Sequence, residues 1–178
     1  MGIRVMGLDL STVTGLSIVD SDKTVAHAEV VAFKKLTGCE RINAIAGRIM
    51  NAHDYYKPDF VSIEDYAVSR FGGSAIVSIG IGSVVRFLLW QNEIPYLDVP
   101  PTSLKKFVTG KGNAKKENMI LEVYKRYGYT SATNDIADAV GLGMFGLCAV
   151  GVKFTAEATK CVNDVLKGRS GLPLPSLL

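Results

Sequence analysis

Apolar residues follow two different spacings along this chain, and the switches between them mark its elements. Residues 3–10 (IRVMGLDL) form an almost unbroken apolar run, which predicts a buried strand. Residues 15–20 and 24–33 predict two more strands, separated by the turn signal Asp20-Ser21-Asp22. Such short connections imply an antiparallel meander. Ile42, Ile45, Ala46, Ile49 and Met50 then recur at helical spacing, with Arg41, Asn43, Arg48 and Asn51 off the stripe. Glu40 to about Tyr55 is therefore an amphipathic helix, ended by Lys57-Pro58. Residues 60–66 (FVSIEDY) read as a strand, 74–91 as a helix and 95–99 as a short strand. Four further helices are expected at 103–108, 115–127, 134–151 and 155–167, before a proline-bearing tail. A whole helix between the last two strands requires a parallel crossover. The expectation is an α/β chain with a mixed sheet and helices on both faces, in one domain over 1–169 with a tail at 170–178.

Composition narrows the class without naming a function. A length of 178 residues suits one substantial core, and 48% hydrophobic with 21% charged residues is an ordinary globular balance. The longest apolar run, Ser74 to Leu89, is broken by Gly80, Gly82 and Arg86, so no membrane span is expected. The first strand begins too early for a signal peptide, and a cytoplasmic location is the expectation. Cys39, Cys148 and Cys161 form neither a CxxC pair nor a zinc pattern, and read as ordinary thiols. Net charge is +3, but unevenly spread: residues 1–100 balance at −2 and residues 101–178 at +5, most of the excess lying between Lys105 and Arg126. A basic zone of that kind is what binding of a polyanion needs, and also what a solvated helix face looks like.

The candidate chemistry lies in four carboxylates. Asp9 sits between Leu8 and Leu10 inside an apolar strand, where aspartate is depleted and costly to bury unpaired. Glu64 repeats the anomaly after Val61-Ser62-Ile63. Two strands thus end in acids at the edge where open α/β sheets bind ligands. Asp135 and Asp138 are three residues apart at the start of a helix, on one face. Acids also favour a first helical turn for its free N–H groups. Yet the residues after Asp138 are small and apolar, so this face should pack inward, where two carboxylates repel unless a cation lies between them. Such a donor set suits Mg²⁺, and no HExxH or other histidine set competes. Lys105, Lys106, Lys111, Lys115 and Lys116 flank a Gly-Lys-Gly loop whose backbone can approach phosphate, although GxxxxGK[ST] is absent.

Together these segments resemble the RuvC family of Holliday junction resolvases, within the RNase H-like fold. The resemblance covers roughly residues 3–148 and rests on GLDLSTVTGLSIVD (7–20), SIEDY (62–66), SLKKFVTGKGNAKKENM (103–119) and DIADAVGLGM (135–144), in that order. It implies a five-stranded mixed sheet, antiparallel in its first three strands and parallel thereafter. It implies a Mg²⁺-dependent endodeoxyribonuclease with two ions per site, Mn²⁺ as a substitute, and Asp9, Glu64, Asp135 and Asp138 as ligands. Lys116 would act on the transition state, and Lys105 would lie near the scissile phosphate. The partners implied are branched DNA, above all four-way junctions, and a second copy of the chain, giving paired nicks in opposed strands.

This sequence departs from the family where an aromatic residue follows the glutamate strand. The ungapped position is Ala67, and Tyr66, Arg70 and Phe71 are the candidates to contact DNA there. The departure leaves room for flaps, forks and three-way branches as substrates, and the short, divergent form fits a phage or organellar member, hence a host cytoplasm if phage-encoded. The expected dimer surface is helix 74–91, through Ile76, Ile79, Val84 and Phe87, with Gly80, Gly82 and Ser83 permitting close approach. Three rival readings stand beside this one. An actin-like sugar kinase shares the glycine–aspartate hairpin but needs two domains. A non-catalytic DNA-binding module would gain nothing from four acids. Against an RNase H or transposase-like nuclease, the basic loop 103–119 and the DxxDA helix favour the resolvase, and a substrate panel decides.

Overall fold

A computed structural model describes residues 2–66 and 73–168. Arg70, Phe71 and the tail 170–178 lie outside the described residues. The chain runs β1 (Arg4–Asp9), β2 (Thr14–Asp20), β3 (Val25–Val31), α1 (Gly38–Tyr56), β4 (Phe60–Glu64), α2 (Gly73–Gln91) and β5 (Tyr96–Val99). It continues as α3 (Pro101–Thr109), α4 (Lys116–Tyr127), α5 (Asn134–Ala149) and α6 (Ala156–Lys167). The element order agrees with the sequence expectation throughout, and no boundary differs by more than two residues.

The five strands form one sheet in the order β3-β2-β1-β4-β5. β1–β2 and β2–β3 are antiparallel, while β1–β4 and β4–β5 are parallel. The crossover helices account for this split, since only a helix-length connection returns the chain to a parallel neighbour.

Alternation along the strands builds two cores. Met6, Leu8, Leu16, Ile18, Val61 and Ile63 face one way and pack under α1 and α2. Val5, Val19, Phe60, Leu97 and Val99 face the other way, toward α3, α4, α5 and α6. α1 ends where Lys57 adopts φ 52° and donates its N–H to His53 O at 2.8 Å, just before Pro58.

α5 is the centrepiece of the second layer, with Ala137 and every residue from Ala139 to Cys148 buried. It reaches the sheet through glycine. A Cβ at Gly7 would overlap the Ala139 carbonyl oxygen, and one at Gly15 would overlap that of Asp135. Gly143 and Gly146 open the helix side of the same contact, against Val19 and Val5. Ser17 Oγ then donates to Ala139 O at 2.8 Å across this seam. The helix consequently lies closer to the sheet than residues with side chains would allow.

Candidate active site

Strand parity aims the two strand acids. Asp9 shares parity with Val5 and Gly7, and Glu64 with Phe60 and Ser62, so both turn toward the α5 layer. The parallel register pairs Val5 with Phe60 through Leu8 with Ile63, and one step further sets Asp9 beside Glu64. Both lie at the C-terminal edge of the central strands. Their carboxyl groups share a hydrogen bond.

The first turn of α5 supplies the other pair. Thr133 caps it, its hydroxyl accepting from Ile136 N–H at 3.2 Å, and Ser131 Oγ holds Thr133 O at 2.7 Å. Because Gly15 pairs with Asp9 on the neighbouring strand and is itself covered by the Asp135 backbone, the helix start sits directly over the end of β1. Glu64, Asp135 and Asp138 therefore all act on Asp9.

Their electrostatics carry the mark of that crowding. Burial first, then the charges of Glu64, Asp138 and Asp135, push the Asp9 carboxyl well above the usual aspartate range. Asp138 is pushed up to about 7, first by burial and then by Glu64, against the opposing pull of Lys116 and Lys105. Burial also raises Glu64, while its hydrogen bond to Asp9 and the charges of Lys105 and Lys116 hold it back.

Only part of the basic segment faces these acids. Lys105 on α3 and Lys116 at the start of α4 act on both Glu64 and Asp138. Lys111 and Lys115 are exposed in the approach to α4. Lys106 points elsewhere. It lines a separate cavity of about 750 Å³ with Lys23, Arg126 and Lys153. The helical turn explains the split, since consecutive residues of α3 point about 100° apart.

Tyr66 folds back on its own chain. Its ring lies over the Arg86 guanidinium at 4.3 Å, and its hydroxyl meets Ser83 Oγ at 3.0 Å. Arg86 also donates to the Glu64 carbonyl at 3.1 Å, to Gly82 O at 3.1 Å and to Asp98 at 2.8 Å. A small cleft of about 300 Å³ opens here, bounded by Asp9, Glu64, Tyr66, Ser78 and Arg86. In the sequence Arg86 stands only as an interruption of an apolar run. A lone arginine in the otherwise apolar stretch 74–89 was the available signal.

Comparison with known proteins gives this geometry its context. Residues 5–145 match the family described as Crossover junction endodeoxyribonuclease RuvC. The chain belongs to the RuvC family. The family protein of Hydrogenovibrio crunogenus is 30% identical over 142 residues, covering 77% of this chain and 83% of that one. The one from Fusobacterium nucleatum is 28% identical over 171 residues, covering 92% and 90%. Thermus thermophilus RuvC superposes with a TM-score of 0.69 at 22% identity, over 83% of this chain and 95% of that one. The same protein, in complex with a Holliday junction substrate, also gives 0.69.

RuvC enzymes are metal-dependent nucleases, and the donors here fit such an ion in kind: carboxylate oxygens only, half-buried and crowded against one another. Among the described residues, no three acidic, histidine or cysteine side chains already stand in a coordinating arrangement. Asp9 and Glu64 meet instead as a hydrogen-bonded pair.

α2 carries the remaining expectation. Ile76, Ile79, Phe87 and Trp90 are exposed on it, Ile76 at 70% and Trp90 at 64%. Val84 does not belong with them, because it packs against the core under α2. Gly80 also has an internal use: a Cβ there would press on Ile42 of α1. Gly82 makes room for Tyr66 and Arg86, and Ser83 holds the Tyr66 hydroxyl.

Proposed function

We propose that this chain resolves Holliday junctions as a homodimer, each subunit nicking one of two opposed strands by Mg²⁺-dependent hydrolysis. The observation that carries the reading is the convergence of Asp9, Glu64, Asp135 and Asp138 at one sheet edge, facing Lys105 and Lys116, in a RuvC-family chain. Thermus thermophilus RuvC in complex with a Holliday junction supports branched DNA as the substrate class.

In this reading Asp9, Glu64 and Asp138 hold Mg²⁺, with Asp135 as a further ligand or local base. Two ions bound there would lower the pKa of the attacking water and stabilise the leaving 3′-oxygen. Lys116 and Lys105 hold the scissile phosphate and answer the charge that grows on it in the transition state. The α5 backbone, fixed by its glycine seam, keeps Asp138 in register with the strand acids as the site loads. Lys111 and Lys115 contact phosphates outside the cleft, by charge alone. The exposed stripe Ile76–Ile79–Phe87–Trp90 supports subunit pairing through α2, as its spacing of three, eight and three residues keeps one helix face.

The test is cleavage of an end-labelled synthetic four-way junction with Mg²⁺, beside duplex, flap and RNA–DNA hybrid controls. Paired nicks in opposed strands, absent from Asp9→Asn, are expected. Cutting of the hybrid alone would move the chain to another nuclease activity, and binding without cutting would reduce it to a DNA-binding module. Sedimentation of the wild type as a strict monomer on junction DNA would refute paired cutting.

A further inference from the structure

We propose that Arg86 is the positioning residue for Glu64: from α2 it clamps the end of β4, fixing where that carboxylate meets the metal. The proposal deepens the reading above and rests on Glu64 being a metal ligand.

Arg86 makes four contacts with one guanidinium. Nη2 donates to the main-chain carbonyl of Glu64 itself, at 3.1 Å. Nε and Nη2 both lie 2.8 Å from Asp98 Oδ1, on the adjacent strand β5. Nη1 donates to Gly82 O, and the flat face supports the Tyr66 ring. Its side chain is only 11% exposed. Strand parity makes this possible: Leu97 and Val99 face the α5 layer, so Asp98 faces α2.

The consequence is local and specific. Glu64 is the last residue of β4, and the strand pairing that steadies it comes from Val99 of the edge strand β5. Beyond it, Asp65 N–H donates to Val99 O, and among the described residues nothing further continues the ladder. A carboxylate at a strand terminus swings with its backbone. Arg86 ties that backbone to β5 through Asp98 and to α2 through Gly82, and Tyr66 caps the clamp from above. Lysine could not do this, since a single ammonium does not span three acceptors in one plane. Arg86 pairs its charge with Asp98, while Lys105 and Lys116 act on the Glu64 carboxylate itself. Arg86 reaches Glu64 through its backbone, and so acts on where the carboxylate stands.

The experiment compares wild type, Arg86→Gln, Arg86→Lys and Asp98→Asn. Junction cleavage is measured against Mg²⁺ concentration, Mn²⁺ binding by electron paramagnetic resonance, and junction affinity in EDTA. Loss of a residue that orients a ligand lowers metal affinity about 10–100-fold. Arg86→Gln should accordingly raise the half-saturating Mg²⁺ and the Mn²⁺ dissociation constant by about tenfold or more. Junction affinity in EDTA should stay within about twofold, because DNA binding is carried by other groups. Arg86→Lys should fall between, and excess Mg²⁺ should restore much of the rate. Should Arg86→Gln fail to fold, Asp98→Asn keeps the guanidinium but loosens its anchor, and should shift both metal constants in the same direction by a smaller factor. Unchanged metal constants with a lowered melting temperature would make Arg86 purely structural and overturn the proposal. A wild type that neither cleaves nor binds Mn²⁺ would instead refute the ligand role of Glu64, a failure read directly from the control.

Discussion

Replacing Asp138 by asparagine should abolish cleavage and at the same time stabilise the metal-free protein. Burial and the charge of Glu64 raise its carboxyl from an ordinary 3.8 to about 7. A folded-state pKa above the unfolded one means that the native state binds the extra proton. Below pH 3.8 both states are protonated and the group costs nothing. Between 3.8 and about 7 stability falls as pH rises, and above 7 the full cost is present. At 1.36 kcal/mol per pKa unit that cost is at most about 4 kcal/mol. Asparagine keeps the shape and removes the charge, but it still buries an amide, so a net gain of about 2 kcal/mol is expected. For a chain of this size that corresponds to a rise of about 4–8 °C in melting temperature.

Thermal unfolding in EDTA at pH 4, 6, 7 and 8.5, with wild type and Asp138→Asn side by side, reads this directly. The variant should lie below wild type at pH 4, where only the buried amide counts, and rise above it to a plateau beyond pH 7. Added Mg²⁺ should then raise the wild type more than the variant, because a cation relieves the repulsion that asparagine has already removed. A variant less stable than wild type at pH 8.5 would refute the reasoning. So would a difference that does not change with pH, since that would mean that Asp138 is not held in a charged, crowded site.

Other substitutions test neighbouring parts of the site. Asp9→Asn should lose cleavage while binding the junction in EDTA at least as well as wild type, measured by gel shift, because it removes a negative charge facing a polyanion. Lys116→Met should lower the single-turnover rate about 10²–10³-fold with little change in junction affinity, the pattern of an interaction made mainly in the transition state. Gly15→Ala places a methyl on the Asp135 carbonyl; it should cost about 1–3 kcal/mol in urea unfolding and depress cleavage, whereas Gly47→Ala, which meets nothing within 4 Å, should not. Phe87→Glu with Trp90→Glu should give monomers in analytical ultracentrifugation that nick without pairing their cuts.

Much of the fold was legible because its signals are local. The switch from strand to helical spacing at Ile42–Met50, and the acids stranded in apolar runs at Asp9 and Glu64, need no knowledge of distant contacts. Parity even fixes the side of the sheet: Asp9 and Val5 share it, as do Glu64 and Phe60, and the shared register does the rest. What sequence spacing could not show is which neighbour a residue meets. Lys105 and Lys106 are equivalent by composition, and only the docking of α3 sends one to the acids and the other to a separate cavity. Gly80, Gly82 and Ser83 look like a docking surface for a second copy, yet Ile42, Arg86 and Tyr66 of the same chain occupy that space. Val84 reads as part of an apolar face and turns inward, while Trp90, one turn beyond Phe87, stays out. Arg86 is the plainest case. Its partners are a carbonyl 22 residues earlier and a carboxylate 12 residues later, and no periodicity links them. An isolated cation in an apolar helix therefore marks only that a partner exists. The fold decides that the partner is Asp98 on the edge strand, and through it the backbone of the glutamate proposed to hold the metal.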